Sequence, residues 1–119
     1  MRFQDLLAYK KSFELTMDIN AISKSFPSEE KYSLTDQIRR SSRSVSANIA
    51  EATRKRKYEK HFVSKLTDSD AENSETQVWL EYANACDYID NIKFETLTLK
   101  SIEVGKLLNY MMNNPDKFL

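Results

Sequence analysis

Glycine occurs once and proline twice in 119 residues. That scarcity leaves little material for the turns of a β-sandwich or barrel and argues for long, uninterrupted helices. The one cysteine, Cys86, cannot form an internal disulfide, so the chain needs no oxidising compartment and a cytoplasmic home is expected. The one histidine, His61, excludes a metal site built from several histidines of one chain, and with it the paired Glu-x-x-His ligands of di-iron bundles. With the only glycine at position 105, there is no phosphate-cradling glycine loop and no nucleophile elbow. No apolar run approaches the roughly 18 residues that would span a bilayer, and the opening "MRFQDLLAYKKSFEL" is too charged for a secretory signal.

What is present suffices for one helical domain. Hydrophobic residues make up 40% of the chain, enough for a modest core. The net charge of zero is a cancellation. Residues 39–65 carry Arg39, Arg40, Arg43, Arg54, Lys55, Arg56, Lys57, Lys60 and Lys65 against Glu51 and Glu59, a local balance of +7. Residues 66–95 carry Asp68, Asp70, Glu72, Glu75, Glu81, Asp87, Asp90 and Glu95 against Lys93, a balance of −7. Such polarity can attract phosphate to one surface, or let the acidic part of one subunit meet the basic part of another.

Apolar spacing of three and four predicts four helices. The first spans about Phe3 to Ser25, with Leu6, Tyr9, Phe13 and Met17 on one side and Leu15, Ile19, Ile22 and Phe26 on another; Pro27 ends it. The second spans Leu34 to Arg54, with Ser33 as its N-cap and Leu34, Ile38, Ser42, Val45, Ile49 and Ala52 as its core line. The third spans Tyr58 to Asp87, with Phe62, Leu66, Ser69, Asn73, Thr76, Leu80 and Ala83 inward. After a turn at Asp90 and Asn91, the fourth spans Phe94 to Asn113, with Leu97, Ile102, Leu108 and Met111 or Met112 inward. Four long helices on short connections predict an all-α, up-down-up-down antiparallel four-helix bundle.

Two helices carry a second face. Ser46, Ala47 and Ala50 lie off the core line of helix 2, between Arg43 and Arg54, where another helix could approach closely. On helix 3, Ala71, Val78, Trp79, Tyr82 and Cys86 lie opposite its core line, as ordinary flanks of the bundle or as an interface between subunits. Together these faces favour a homo-oligomer, with Ala47, Val78, Trp79 and Tyr82 at its interface.

Catalytic chemistry has little to build on. The serines of "SSRSVSA" sit inside a helix and read as packing residues, and Cys86 reads as a small buried hydrophobe. Asp68, Glu72 and Glu75 stack on one helical face, as a salt-bridged stripe rather than a divalent-cation site. No catalytic residue, metal or cofactor is expected. The basic segment is the stronger functional signal. "RKRKYEKH", residues 54–61, joins cation density to an aromatic residue, and Arg39, Arg40, Arg43 and Lys65 extend it. Cations that neutralise phosphates release counterions and give sequence-independent affinity, while Tyr58 could stack on an unpaired base. The competing reading is that these cations pair with the acidic third helix.

The segment "QIRRSSRSVSANIAEA" resembles the signature of the four-helix-bundle proteins encoded in bacterial 23S rRNA intervening sequences. "FQDLLAYKKSFEL", "FPSEEKYSLTDQ" and the stretch "FVSKLTDSDAENSETQVWLEYANACDYI" resemble further landmarks of that family in the same order. The resemblance implies a homopentamer and kinship with the accessory proteins of diversity-generating retroelements, whose barrel-like pentamers bind nucleic acid and a reverse transcriptase through basic surfaces. It implies no definite activity for the intervening-sequence branch. It marks Gln37, Arg39, Arg40, Ser44, Asn48 and Glu51 as signature positions, with Asn48 and Glu51 placed to bond across helices and fix register. Where the family has glycine after that glutamate this chain has Ala52, which removes a glycine C-cap. Two functional classes follow: an RNA-favouring nucleic-acid-binding protein, or an oligomeric interaction scaffold.

Overall fold

The computed structural model describes residues 1–119. Four helices form it: α1 (Leu7–Ser23), α2 (Leu34–Arg54), α3 (Glu59–Ala85) and α4 (Asn91–Asn113), with short 3-10 turns at Phe3–Asp5, Ser28–Glu30 and Pro115–Lys117. Each helix packs on its neighbours in sequence, and α4 returns to α1 to close the bundle. Short connections force each helix to reverse direction, so the expected antiparallel bundle is what forms. Its long dimension is 44 Å, against 25 and 20 Å across. One pole holds the α2–α3 turn and both chain termini; the other holds the α1–α2 and α3–α4 connections.

The core is two apolar clusters separated by a polar belt. At the pole of the α2–α3 turn, Leu6, Val45, Ile49, Phe62, Leu66, Val104 and Leu108 pack together. At the other, Leu15, Ile19, Phe26, Leu34, Ile38, Leu80 and Leu97 do so. Between them lie buried Ser12, Ser41, Ser42, Ser69, Asn73, Thr76 and Ser101. Burying a polar group is tolerable when it is bonded, and these are. Asn73 Nδ2 donates to the Ser101 carbonyl and Ser101 Oγ donates back to Asn73 Oδ1, both at 2.9 Å. Ser41 and Thr76 share a hydrogen bond of 2.9 Å, and Ser69 Oγ donates to the Val45 carbonyl at 2.7 Å.

The core lines of α2 and α3 are those expected from spacing. Helices α1 and α4 differ in detail. Phe3 opens a 3-10 turn rather than α1, whose buried line is Ala8, Ser12, Leu15 and Ile19; Phe13 and Met17 are exposed and Tyr9 half-buried. Apolar side chains alone misplace this face because its centre is a serine. On α4 the inward line is Leu97, Ser101, Val104, Leu108 and Met111, and Ile102, one position off it, is exposed.

The caps also differ. Ser33 holds the expected N-cap position of α2, but its hydroxyl makes no capping bond; Glu30 supplies one instead, accepting from the Leu34 backbone N–H at 3.3 Å and from the Ser33 hydroxyl. Helix α3 ends at Ala85, two residues before the expected Asp87. Asp87 takes φ 61°, the Tyr88 N–H donates to the Ala83 carbonyl at 2.8 Å, and the Asp87 N–H donates to the Asn84 carbonyl at 3.0 Å. This is a Schellman ending with aspartate in glycine's usual place. It leaves Cys86 exposed rather than buried, since the C-cap lies beyond the last packed turn. Asp90 then caps α4 by accepting from the Lys93 N–H at 2.7 Å, which starts that helix at Asn91 instead of Phe94.

Candidate nucleic-acid interface

The expected basic residues divide into two groups that behave differently. Along the wall of the bundle the cations are engaged. Arg39 is half-buried and its Nε donates to Ser23 Oγ at 2.8 Å, tying α2 to α1. Arg40 bridges to α3, pairing with Glu72 at 3.2 Å and with Glu75. Arg43 reaches Asn20 Oδ1 at 3.5 Å, a marginal bond. Lys65 pairs with Glu51 at 2.8 Å and with Asp68 at 3.7 Å. The hydrogen bond to Glu51, chiefly, holds the Lys65 ammonium pKa above its ordinary value. The acidic stripe of Asp68, Glu72 and Glu75 is therefore occupied by cations of the same chain.

At the pole the cations are unpaired. Arg54, Lys55, Arg56, Lys57 and Lys60 form no ion pair. Helix α2 runs through buried Ala52 and ends at Arg54; the Lys55 N–H donates to the Ala52 carbonyl and the Tyr58 N–H to the Lys55 carbonyl, so the reversal is tight and crowds these side chains. Among the cluster's side chains Arg56 is anchored, by Nη1 donating to the Met1 carbonyl at 3.1 Å. A cleft of about 700 Å³ opens there between Arg2 and Phe3 on one side and Ala50, Thr53, Arg54, Arg56 and Lys57 on the other. On the opposite flank of the turn, exposed Tyr58 lies against exposed His61, with ring centroids 5.4 Å apart. Arg2 was not expected here, and His61, though it closes the segment 54–61, was given no contact of its own. His61 stands three residues after Tyr58 on a helix, which was a usable signal; nothing in the sequence ties Arg2 to residue 54.

Of the six signature positions Arg39 turns to α1, and the other five line the seam between α2 and α3. Gln37, Arg40, Ser44, Asn48 and Glu51 recur at three and four residues along the flank of α2 that faces α3. Glu51 crosses to Lys65 as expected. Asn48 does not cross: its Nδ2 donates to the Ser44 carbonyl at 2.9 Å, one turn back on its own helix, where the i−4 carbonyl lies within easy reach. Further along the wall, Ala47, Val78 and Tyr82 are exposed, while Trp79 is half-buried with its indole N–H donating to Glu75 at 3.2 Å. Trp79 and Tyr82, with centroids 5.9 Å apart, help line an apolar cleft of about 420 Å³ with Leu34 and Cys86.

A sequence profile of the family described as 23S rRNA-intervening sequence protein matches residues 4–110. The chain belongs to that family. The matched region holds α1, α2 and α3 whole, with the α2–α3 seam and the cationic turn, and most of α4; Met1, Arg2 and Phe3 of the polar cleft lie outside it. Among solved structures the chain is similar to a protein of unknown function from the S23 ribosomal protein family of Bacteroides thetaiotaomicron VPI-5482. The two are 32% identical with a TM-score of 0.80, over 89% of this chain and 98% of that one. No protein with a curated description matches. In this member of the 23S rRNA-intervening sequence protein family, no helix is long and apolar enough to cross a membrane.

Proposed function

We propose that the chain is a non-catalytic, homo-oligomeric nucleic-acid-binding protein, with RNA favoured, that grips phosphates through Arg54, Lys55, Arg56, Lys57 and Lys60. The carrying observation is the contrast between wall and pole: on the wall Arg40 and Lys65 are paired with acids of the same chain and Arg39 is bonded to Ser23, whereas the five cations at the α2–α3 turn form no ion pair. Gathering unpaired like charges costs self-repulsion, which a polyanion relieves by releasing its counterions. The family's tie to an intervening sequence of 23S rRNA favours RNA. A pentamer, the assembly implied by the resemblance, would repeat the pole around an axis and raise affinity for a long polyanion by multivalency.

The test is replacement of Arg54, Lys55, Arg56 and Lys57 by Gln. Fluorescence anisotropy with labelled RNA should show weaker binding for every sequence alike, and the salt slope should fall by about one for each phosphate no longer neutralised. Unchanged binding would remove this segment from the interface. The second reading, an oligomeric scaffold whose pole serves assembly alone, draws on the apolar patch at Val78, Trp79 and Tyr82. Under it the same variant dissociates on sizing, and the wild type shows no salt-sensitive RNA binding.

A further inference from the structure

We propose that the nucleic acid held at this pole is single-stranded, and that an unpaired base stacks on Tyr58 beside His61; the inference rests on the phosphate-binding reading above. Tyr58 keeps 58% of its surface in water. Its extended backbone, φ −117° and ψ 108°, immediately precedes α3 and holds the side chain at the rim of the turn, and His61 stands one helical turn on. The two rings are tilted by 53°, so Tyr58 and His61 form an open ledge rather than a closed stack.

Two other tyrosines have a lysine over the ring, and neither has these surroundings. Tyr32 beside Lys31 shares its cleft with Asp36 and with arginines already engaged, Arg39 by Ser23 and Arg40 by Glu72 and Glu75, and the ammonium of Lys117 is bonded to the Tyr110 hydroxyl at 2.9 Å. At Tyr58 the ammonium of Lys57 sits 5.7 Å from the ring centroid with no carboxylate to hold it, and Lys55 and Lys60 are likewise unpaired. A nucleotide satisfies both features at once: its base takes the ring face and its phosphate takes the ammonium. A duplex offers phosphates to the same cations but keeps its base faces inside the stack, so the ledge would gain nothing from it.

The experiment uses the whole protein with two fluorescein-labelled probes, a short oligouridylate and an RNA duplex of equal length. Wild type should bind the single strand more tightly. Tyr58→Ala should weaken single-strand binding by roughly tenfold, leave the salt slope and the duplex affinity in place, and be rescued by Tyr58→Trp; His61→Ala should weaken the single strand in the same direction. Both side chains are exposed, so the variants should keep the helical circular dichroism of the wild type. Equal affinity for the two probes, or a Tyr58→Ala variant that binds the single strand unchanged, overturns the inference. If the four-Gln variant loses binding while Tyr58→Ala does not, phosphate contact survives and the single-strand assignment falls. If wild type binds neither probe, both fall.

Discussion

Asp87 pays a conformational cost so that the chain can leave α3. Its φ of 61° lies in the left-handed region, where a Cβ is disfavoured and aspartate is tolerated better than most residues. Asp87→Gly should therefore stabilise the fold by about 0.5–1 kcal/mol, read as a higher urea midpoint at unchanged slope. The bend it makes delivers Tyr88, whose hydroxyl donates to Glu30 at 2.8 Å and joins the α3–α4 connection to the α1–α2 connection, at the end of the bundle away from the cationic turn. Hydrogen bonds from Ser33 first, then Tyr88, hold the Glu30 carboxyl below its ordinary pKa, while the bond to Glu30 pushes Tyr88 up to about 12. Both shifts tie stability to pH. The Glu30 contribution is full above the unfolded carboxylate pKa and is lost as pH falls through the lower folded value. The Tyr88 contribution is full below pH of about 10, the free tyrosine value, and is lost as pH rises to about 12. Tyr88→Phe should flatten the alkaline limb of a plot of Tm against pH and leave Arg40 and its partners untouched.

Among the elements, α2 does the most, and its three faces were legible to different degrees. Its core line reads directly from Leu34, Ile38, Val45 and Ile49, since apolar side chains at helical spacing have one place to go. Its outward line is legible in part: Ala47 is exposed as expected, but Ser46 is buried and Ala50 half-buried, because small side chains there sit close to the neighbouring helices. What was not legible is which arginines stay free. Arg40 and Arg54 look alike in sequence, and only the packing of α3 brings Glu72 and Glu75 to one and nothing to the other. The polar belt is half legible: Ser69, Asn73 and Thr76 fall on the inward line of α3, but Ser101, the partner of Asn73, was hidden by the nearby, more apolar Ile102. Asn73→Ala removes the paired bonds to Ser101 and strands buried groups on α4, so it should cost about 2–3 kcal/mol in chemical denaturation.

At the scale of the whole molecule, charge is sorted along a 44 Å axis. Along the wall, charge is neutralised in place where Arg40 meets Glu72 and Glu75, Lys65 meets Glu51, and Lys100 meets Asp18 and Glu14. Charges paired in this way repel a copy of the wall less, and the wall exposes Ala47, Val78 and Tyr82, with Phe13 and Met17 exposed on α1. If subunits associate through that wall, bundles standing side by side carry their cationic poles on one rim. Assembly and nucleic-acid binding then become separable by mutation. Ala47→Arg and Tyr82→Glu each place a charge on an exposed position, so neither should disturb folding, but each should give monomers by multi-angle light scattering. The monomer keeps its own pole, and its affinity for a short oligonucleotide should match that of the wild type. Its affinity for a long RNA should fall by roughly a hundredfold, as the avidity of linked sites is lost. A wild type that is already monomeric at micromolar concentration would remove the basis for the wall as an interface, and a monomeric variant that still binds long RNA as tightly would show that one pole does all the binding.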